Sequence, residues 1–188
     1  MSVPDVDRCD LFVIFGANPV VSNGSLMTAP GMKRRLEAIR QRGGRVVVFD
    51  PRRTETARVA DEHHFVRPGT DALVLLSLLH VVFTEGLVRP GRLAPHLTGL
   101  DELHAVTPDF PPERTEAATG VAATVVRALA RSIAETPRTA IYGRVGVSIQ
   151  EFGGLTNWLI EALNVVTGHL DAPGGMMFTT PAVDFVGL

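Results

Sequence analysis

The chain has a single cysteine, Cys9, one tryptophan and one tyrosine among its 188 residues. One thiol excludes an internal disulfide, and it cannot hold an iron–sulfur cluster by itself, because such clusters take four thiolates. An excess of charge of either sign is also absent: 18 Lys and Arg stand against 20 Asp and Glu, a formal net charge of −2. That balance removes the bulk electrostatic argument for a nucleic-acid partner. No apolar run reaches the ~20 residues of a membrane span, and Met1-Ser2-Val3-Pro4-Asp5 lacks the basic and apolar segments of a secretory signal. A cytoplasmic location without a membrane span is the expectation.

Catalytic constellations are missing as well. Ser22, Ser25 and Ser148 lie in no G-x-S-x-G elbow, and His80, His96, His104 and His169 are scattered without a nucleophile or paired carboxylate nearby. Asp61-Glu62-His63-His64 offers metal-ligating side chains, but neighbours on an extended segment point to opposite faces and cannot close round one ion. No catalytic residue and no metal ligand is assigned. Cys9 precedes the first strand, away from the loop end where chemistry gathers, and reads as a partly buried small residue.

What is present is an alternation of strands and helices in a chain that is 45% hydrophobic and 20% charged, of a length that fits one domain over residues 1–188. Residues 11–15 and 45–49 are continuous apolar strands, and the helical spacing of 31–42 between them stops at Gly43-Gly44. A strand, a helix and a strand in that order make a βαβ unit, and the unbroken apolarity of both strands predicts a parallel sheet covered on both faces. A short helical piece at 53–61, an extended segment at 63–67 and a strong apolar helix at 71–85 follow. Residues 87–112, rich in proline and glycine, read as an irregular surface excursion with a hint of helix at 101–105. Helices are expected from 111 to 119 and 121 to 135, a fourth strand at 139–142, and a last helix over 154–166 closed by Gly168.

Three polar stretches follow strands and therefore gather along one edge of the sheet, where open α/β folds bind ligands. They are Gly16-Ala17-Asn18-Pro19, Asp50-Pro51-Arg52-Arg53-Thr54 and Arg67-Pro68-Gly69-Thr70-Asp71. Together they supply amides, carboxylates and guanidinium groups suited to a phosphorylated, nucleotide-like ligand. The compact G-x-G-x-x-G turn of nicotinamide-binding folds is absent, and the long first loop suits a bulkier ligand. Asn18, held extended by Pro19, is placed to project its amide into the crevice, or else simply forms a turn. Asp50 is positioned for ribose hydroxyls, and Arg52 and Arg53 for phosphate oxygens, with a solvated Asp-Pro turn as the plain alternative. Helix capping is the cheapest explanation of Asp71.

In order along the chain, these stretches, with Gly143-Arg144-Val145-Gly146 and residues 164–175 (NVVTGHLDAPGG), closely resemble the molybdopterin oxidoreductase family of bis-molybdopterin guanine dinucleotide enzymes. That group includes dimethyl sulfoxide reductases, formate dehydrogenases and nitrate reductases. The resemblance covers nearly the whole chain. It implies a Rossmann-like α/β fold, an open and mostly parallel sheet with helices on both faces, that holds one pterin dinucleotide. By motif, Gly16, Asn18 and Pro19 would approach the pyrophosphate. Asp50, Pro51, Arg52 and Thr54 would lie beside ribose and phosphates, and Pro68, Gly69, Thr70 and Asp71 at the guanine, with Asp71 reading its edge. Gly143 and Arg144 would lie nearer the pterin.

The same resemblance implies molybdenum coordinated by two such dinucleotides, a small-molecule substrate and an electron-transfer partner. It also implies that a [4Fe–4S] cluster, the metal ligand and a C-terminal β-barrel lie in other domains or subunits, so a fragment of a larger enzyme is expected, inactive alone. Two alternatives stay open on residues alone: a free-standing nicotinamide-dependent dehydrogenase, and a non-catalytic remnant that binds partner chains.

Overall fold

The computed structural model describes residues 2–24, 27 and 29–179; Ser25 and the end of the chain at Leu188 lie outside the described residues. Four strands form the central sheet: β2 (Leu11–Phe15), β3 (Arg45–Phe49), β4 (Glu62–His64) and β5 (Thr139–Gly143). All neighbours are parallel and the order is β4-β3-β2-β5. The chain first winds outward from β2 through α1 (Met32–Gln41) to β3, and through α2 (Glu55–Val59) to β4. It then returns across one face as α3 (Asp71–Thr84), α4 (Leu100–Val106), α5 (Pro112–Thr119) and α6 (Ala123–Glu135), and enters β5 on the other side of β2. The winding direction therefore reverses between β2 and β5, the topological switch point at which such sheets bind ligands.

Strand alternation sorts the core into two layers. Leu11, Val13, Phe15, Val47, Phe49 and Ile141 pack with Leu75, Leu78, Leu79, Leu129, Ile133, Leu159 and Leu163 from α3, α6 and α8 (Gly153–Val166). Phe12, Ile14, Val46, Val48, Ala140 and Tyr142 pack on the opposite face with Leu36 and Ile39 of α1. Parallel strands buried on both faces are expected to be continuously apolar, and β2 is fully buried at all five positions. The covered, mostly parallel α/β sheet expected from the sequence is what the structure contains.

The outer edge of β5 is closed by a side chain. Asn164 of α8, fully buried, accepts from the Ile141 N–H at 3.1 Å and donates to the Ile141 carbonyl at 2.8 Å, taking the place of a neighbouring strand.

Three elements differ from the sequence reading. A second, two-stranded antiparallel sheet pairs β1 (Ser2–Pro4) with β6 (Met176–Phe178); three-residue strands, one ending in proline, carry no periodic signal. The 87–112 region is more ordered than an irregular excursion. It contains α4 and two 3-10 turns, and it is tied to α3 by the Thr107 carbonyl on His80 Nδ1 at 2.9 Å and by stacking of Phe83 on His104. The third extended segment is β4 at Glu62–His64, earlier than 63–67. Cys9 is wholly rather than partly buried, its thiol donating to the Leu11 carbonyl at 2.9 Å, and burial pushes its pKa up to about 12.

Replacing Asn164 with leucine keeps the volume but leaves the Ile141 N–H and C=O buried and unpaired, at about 1–3 kcal/mol for each group. Urea unfolding of Asn164→Leu should show a loss of about 2–6 kcal/mol, whereas a loss below about 1 kcal/mol would show that the amide does not substitute for a strand.

Candidate cofactor-binding edge

The register brings the four strand ends into line: Phe15 pairs with Phe49 and with Gly143, and Phe49 with His64. With about 4.8 Å between neighbouring strands, the four following loops start within about 14 Å of one another. Phe15 stacks on Phe49 at a centroid distance of 4.6 Å and Phe49 meets His64 at 5.0 Å, a ring ladder beneath the edge.

The loops are tied to each other pairwise. After β2, Gly16 takes a positive φ of 52° and its carbonyl accepts from the Gly146 N–H at 2.9 Å, in the loop after β5. A Cβ on Gly16 would sit 2.8 Å from the Val147 nitrogen, and one on Gly146 would sit 2.5 Å from the Gly16 oxygen. Only two glycines permit this approach of backbone to backbone. Asn18, for which the sequence left a projecting amide and a simple turn open, clamps the next loop with its amide. Its Nδ2 donates to Glu55 at 2.8 Å, and its Oδ1 accepts from the Thr56 hydroxyl at 2.7 Å and the Thr56 N–H at 3.2 Å. The Glu55 carboxyl is held below its usual pKa, first by the Asn18 bond.

After β3, Asp50 is nearly buried; Oδ1 accepts the Arg52 N–H at 2.8 Å, and its backbone carbonyl meets His63 Nε2 at 3.0 Å. Pro51, Arg52 and Arg53 are exposed beyond it. Thr54 is buried and caps α2, accepting the Ala57 N–H at 3.1 Å, so its hydroxyl shapes the loop from within. Pro68 and Gly69 are exposed, and the Thr70 hydroxyl donates to the Arg67 carbonyl at 2.8 Å. Pro19 is buried. Gly143 makes room for α8, since a Cβ there would lie 2.4 Å from Ile160 Cδ1. Arg144 is half-buried and opens the short helix α7 (Val145–Ser148). A cavity of ≈ 270 Å³ lined by Tyr142, Gly143, Asn157 and Ile160 opens beside this end of β5.

Asp71 is 5% exposed. It is the first residue of α3 rather than its cap; Thr70 holds the cap position without a side-chain bond to the helix. Burial raises the Asp71 pKa and the Asp50 charge adds to the rise, against bonds from its own backbone N–H and from Gln150 Nε2 at 3.2 Å that lower it. The Asp50 charge, from the loop after β3, thus adds to the rise at Asp71, after β4. Gln150, in the bend between α7 and α8, was not singled out from the sequence. Its Oε1 is buried and has no hydrogen-bond partner, and it is the one such side-chain atom among the described residues. No group of three or more His, Cys, Asp or Glu suited to a metal ion occurs among the described residues.

Because a raised carboxyl pKa favours the protonated form in the folded state, the penalty of the buried Asp71 charge is absent below the unfolded Asp pKa of about 3.9 and complete above the folded value. Asp71→Asn should therefore raise the melting midpoint at pH 7 by roughly 2–4 °C, what about 1 kcal/mol gives in a chain of this size. The gain should shrink as pH falls through the folded pKa toward that of an unfolded aspartate. Melting curves from pH 7 to 4 check this; a lower midpoint for the asparagine variant at pH 7 would contradict it.

Comparison with known proteins places the chain in a family and matches its fold. The family model for molybdopterin oxidoreductase matches residues 1–180. Formate dehydrogenase H of Escherichia coli is 30% identical over 172 residues, which cover 92% of this chain and 23% of that enzyme. Dimethyl sulfoxide reductase DmsA of the same organism is 32% identical over 195 residues, covering 93% and 24% respectively. Acetylene hydratase from Pelobacter acetylenicus shares the fold, with a TM-score of 0.77 at 24% identity over 89% of this chain and 22% of its own. The chain thus spans about a quarter of the relatives it matches. With nearly its full length matched by one family model, this chain belongs to the molybdopterin oxidoreductase family.

Proposed function

We propose that the chain holds a molybdopterin guanine dinucleotide by its nucleotide end, along the C-terminal edge of the sheet, within a molybdenum-dependent oxidoreductase. The observation that carries this reading is the buried pair of acceptors beside Gly69: the Asp71 carboxylate and Gln150 Oε1, which lacks a donor. Buried acceptors call for N–H donors. Guanine presents N1–H and a 2-amino group on the edge where adenine presents an acceptor at N1, so a carboxylate there favours guanine. Asp50, oriented by the Arg52 N–H, is placed for ribose hydroxyls, and the exposed Arg52 and Arg53 for phosphate oxygens. Asn18, Thr54, Gly16 and Gly146 act one step back by fixing the loops that carry these groups.

When bound, the molybdenum and its pterin supply two-electron redox chemistry, and the chain's own share is binding and orientation. Family membership favours this over a nicotinamide dehydrogenase. The relatives are about four times as long and bear the names of different substrates, formate and dimethyl sulfoxide among them. The small-molecule substrate, any [4Fe–4S] cluster, the second dinucleotide and the electron-transfer partner accordingly belong with further domains or subunits, and a cytoplasmic location remains part of the proposal. An exposed apolar row supports such neighbours: Val145, Ile149, Phe152, Leu155 and Trp158 run from the site along α7 and α8, with Ile149 81% exposed.

Calorimetric titration of the 188-residue chain with GDP and ADP tests the reading. GDP should bind saturably, at least about tenfold more tightly than ADP, a factor worth about 1.4 kcal/mol, and Asp71→Ala should shrink that preference severalfold. Equal binding of the two nucleotides, or a preference unchanged in the alanine variant, would refute it.

A further inference from the structure

Gln150 stands out because its two polar ends have different fates. An ionised carboxylate only accepts, so the amide turns Nε2 toward Asp71 Oδ2, at 3.2 Å, and Oε1 is left buried without a donor. The backbone gives the residue little freedom: the Gln150 carbonyl accepts the Gly153 N–H at 2.9 Å at the start of α8, and the preceding Ile149 N–H bonds to the Val145 carbonyl at 3.2 Å. A Cβ on Gly69 would come within 3.5 Å of Oε1, so the orphan oxygen lies against the exposed loop that leads into Asp71. A buried amide oxygen without a partner costs stability, and here it adjoins a carboxylate whose own burial is unfavourable. One unpaired acceptor, Gln150 Oε1 from the loop after β5, and one buried carboxylate, Asp71 from the loop after β4, thus share one spot on the edge.

We propose that Gln150 is a second specificity residue of this site: its Oε1 accepts a hydrogen of the guanine 2-amino group while Asp71 takes N1–H and the other amino hydrogen. This inference rests on the guanine reading and deepens it. Asp71 alone separates guanine and hypoxanthine from adenine, because both of the former carry N1–H. Gln150 widens the separation of guanine from hypoxanthine, which lacks the amino group and so leaves Oε1 unpaired as well as forfeiting one bond to Asp71. Sites that hydrogen-bond a ligand's amino group reject the analogue without it strongly, since the acceptor is then left buried and unpaired.

The test compares GDP, IDP and ADP in titrations of the full chain and of Gln150→Met, which is close in volume and has no amide. The unsubstituted chain should favour GDP over IDP by more than about tenfold. Gln150→Met should reduce that ratio by about fivefold, leave IDP affinity within about twofold, and keep the rejection of ADP. If the methionine variant does not fold, as judged by circular dichroism, Gln150→Asn, which shortens the reach by one methylene, should show the same fall. An unchanged GDP-to-IDP ratio overturns the role of Gln150 and leaves the Asp71 reading standing. Equal weakening of GDP and IDP overturns it too, and makes Gln150 only a support for the carboxylate. Loss of discrimination against ADP in the unsubstituted chain overturns both.

Discussion

The site depends on one constraint, the common register of four parallel strands. Phe15, Phe49, His64 and Gly143 end on a single line, so every loop that follows a strand emerges on the same edge. Because parallel strands require crossovers, that register has to be specified by packing on both faces rather than by tight turns. The two layers of buried Val, Ile, Leu and Phe do this: a slip of one residue would exchange the faces packed on α1 and on α3. The loop-bearing edge is a consequence of the core, and no separate scaffold is needed to assemble it.

Upon that edge the chain places groups that weaken the free protein. Asp71 is buried without full compensation, and Gln150 Oε1 has no donor. The neighbouring bonds point the other way: Asn18 to Glu55 and Thr56, Thr54 to Ala57, Gly146 to Gly16 and Asp50 to Arg52 are all satisfied within the loops. The edge thus separates into a satisfied framework and a small unsatisfied centre. Such a division is expected of a preorganised ligand site, in which the supporting bonds exist before the ligand arrives.

Much of this was legible in the sequence. The apolar runs at 11–15 and 45–49, the helix from Asp71 and the strand after residue 138 are strong periodic or continuous signals, and they fixed which loops share an edge. Asp50, Arg52 and Asp71 followed from position after those strands and from resemblance. What local pattern did not reveal depended on distant contacts. Nothing near Asn18 in sequence foretold that its amide would bond to Glu55 and Thr56 and so tie two of the loops together. Gln150 lies 79 positions from Asp71 and stands in an irregular bend without a motif of its own. The β1 and β6 pairing joins segments at opposite ends of the described chain, each too short to show alternation.

The central claim is that one continuous edge, built from four loops, grips a guanine nucleotide. Backbone amide chemical-shift mapping of the chain on addition of GDP addresses it most directly. The account predicts that the large shifts fall together in residues 16–22, 50–55, 67–72 and 144–151, with little change at Asp10, Gly44 and Arg138 on the opposite edge. Shifts centred on that opposite edge, or confined to a single loop, would contradict it.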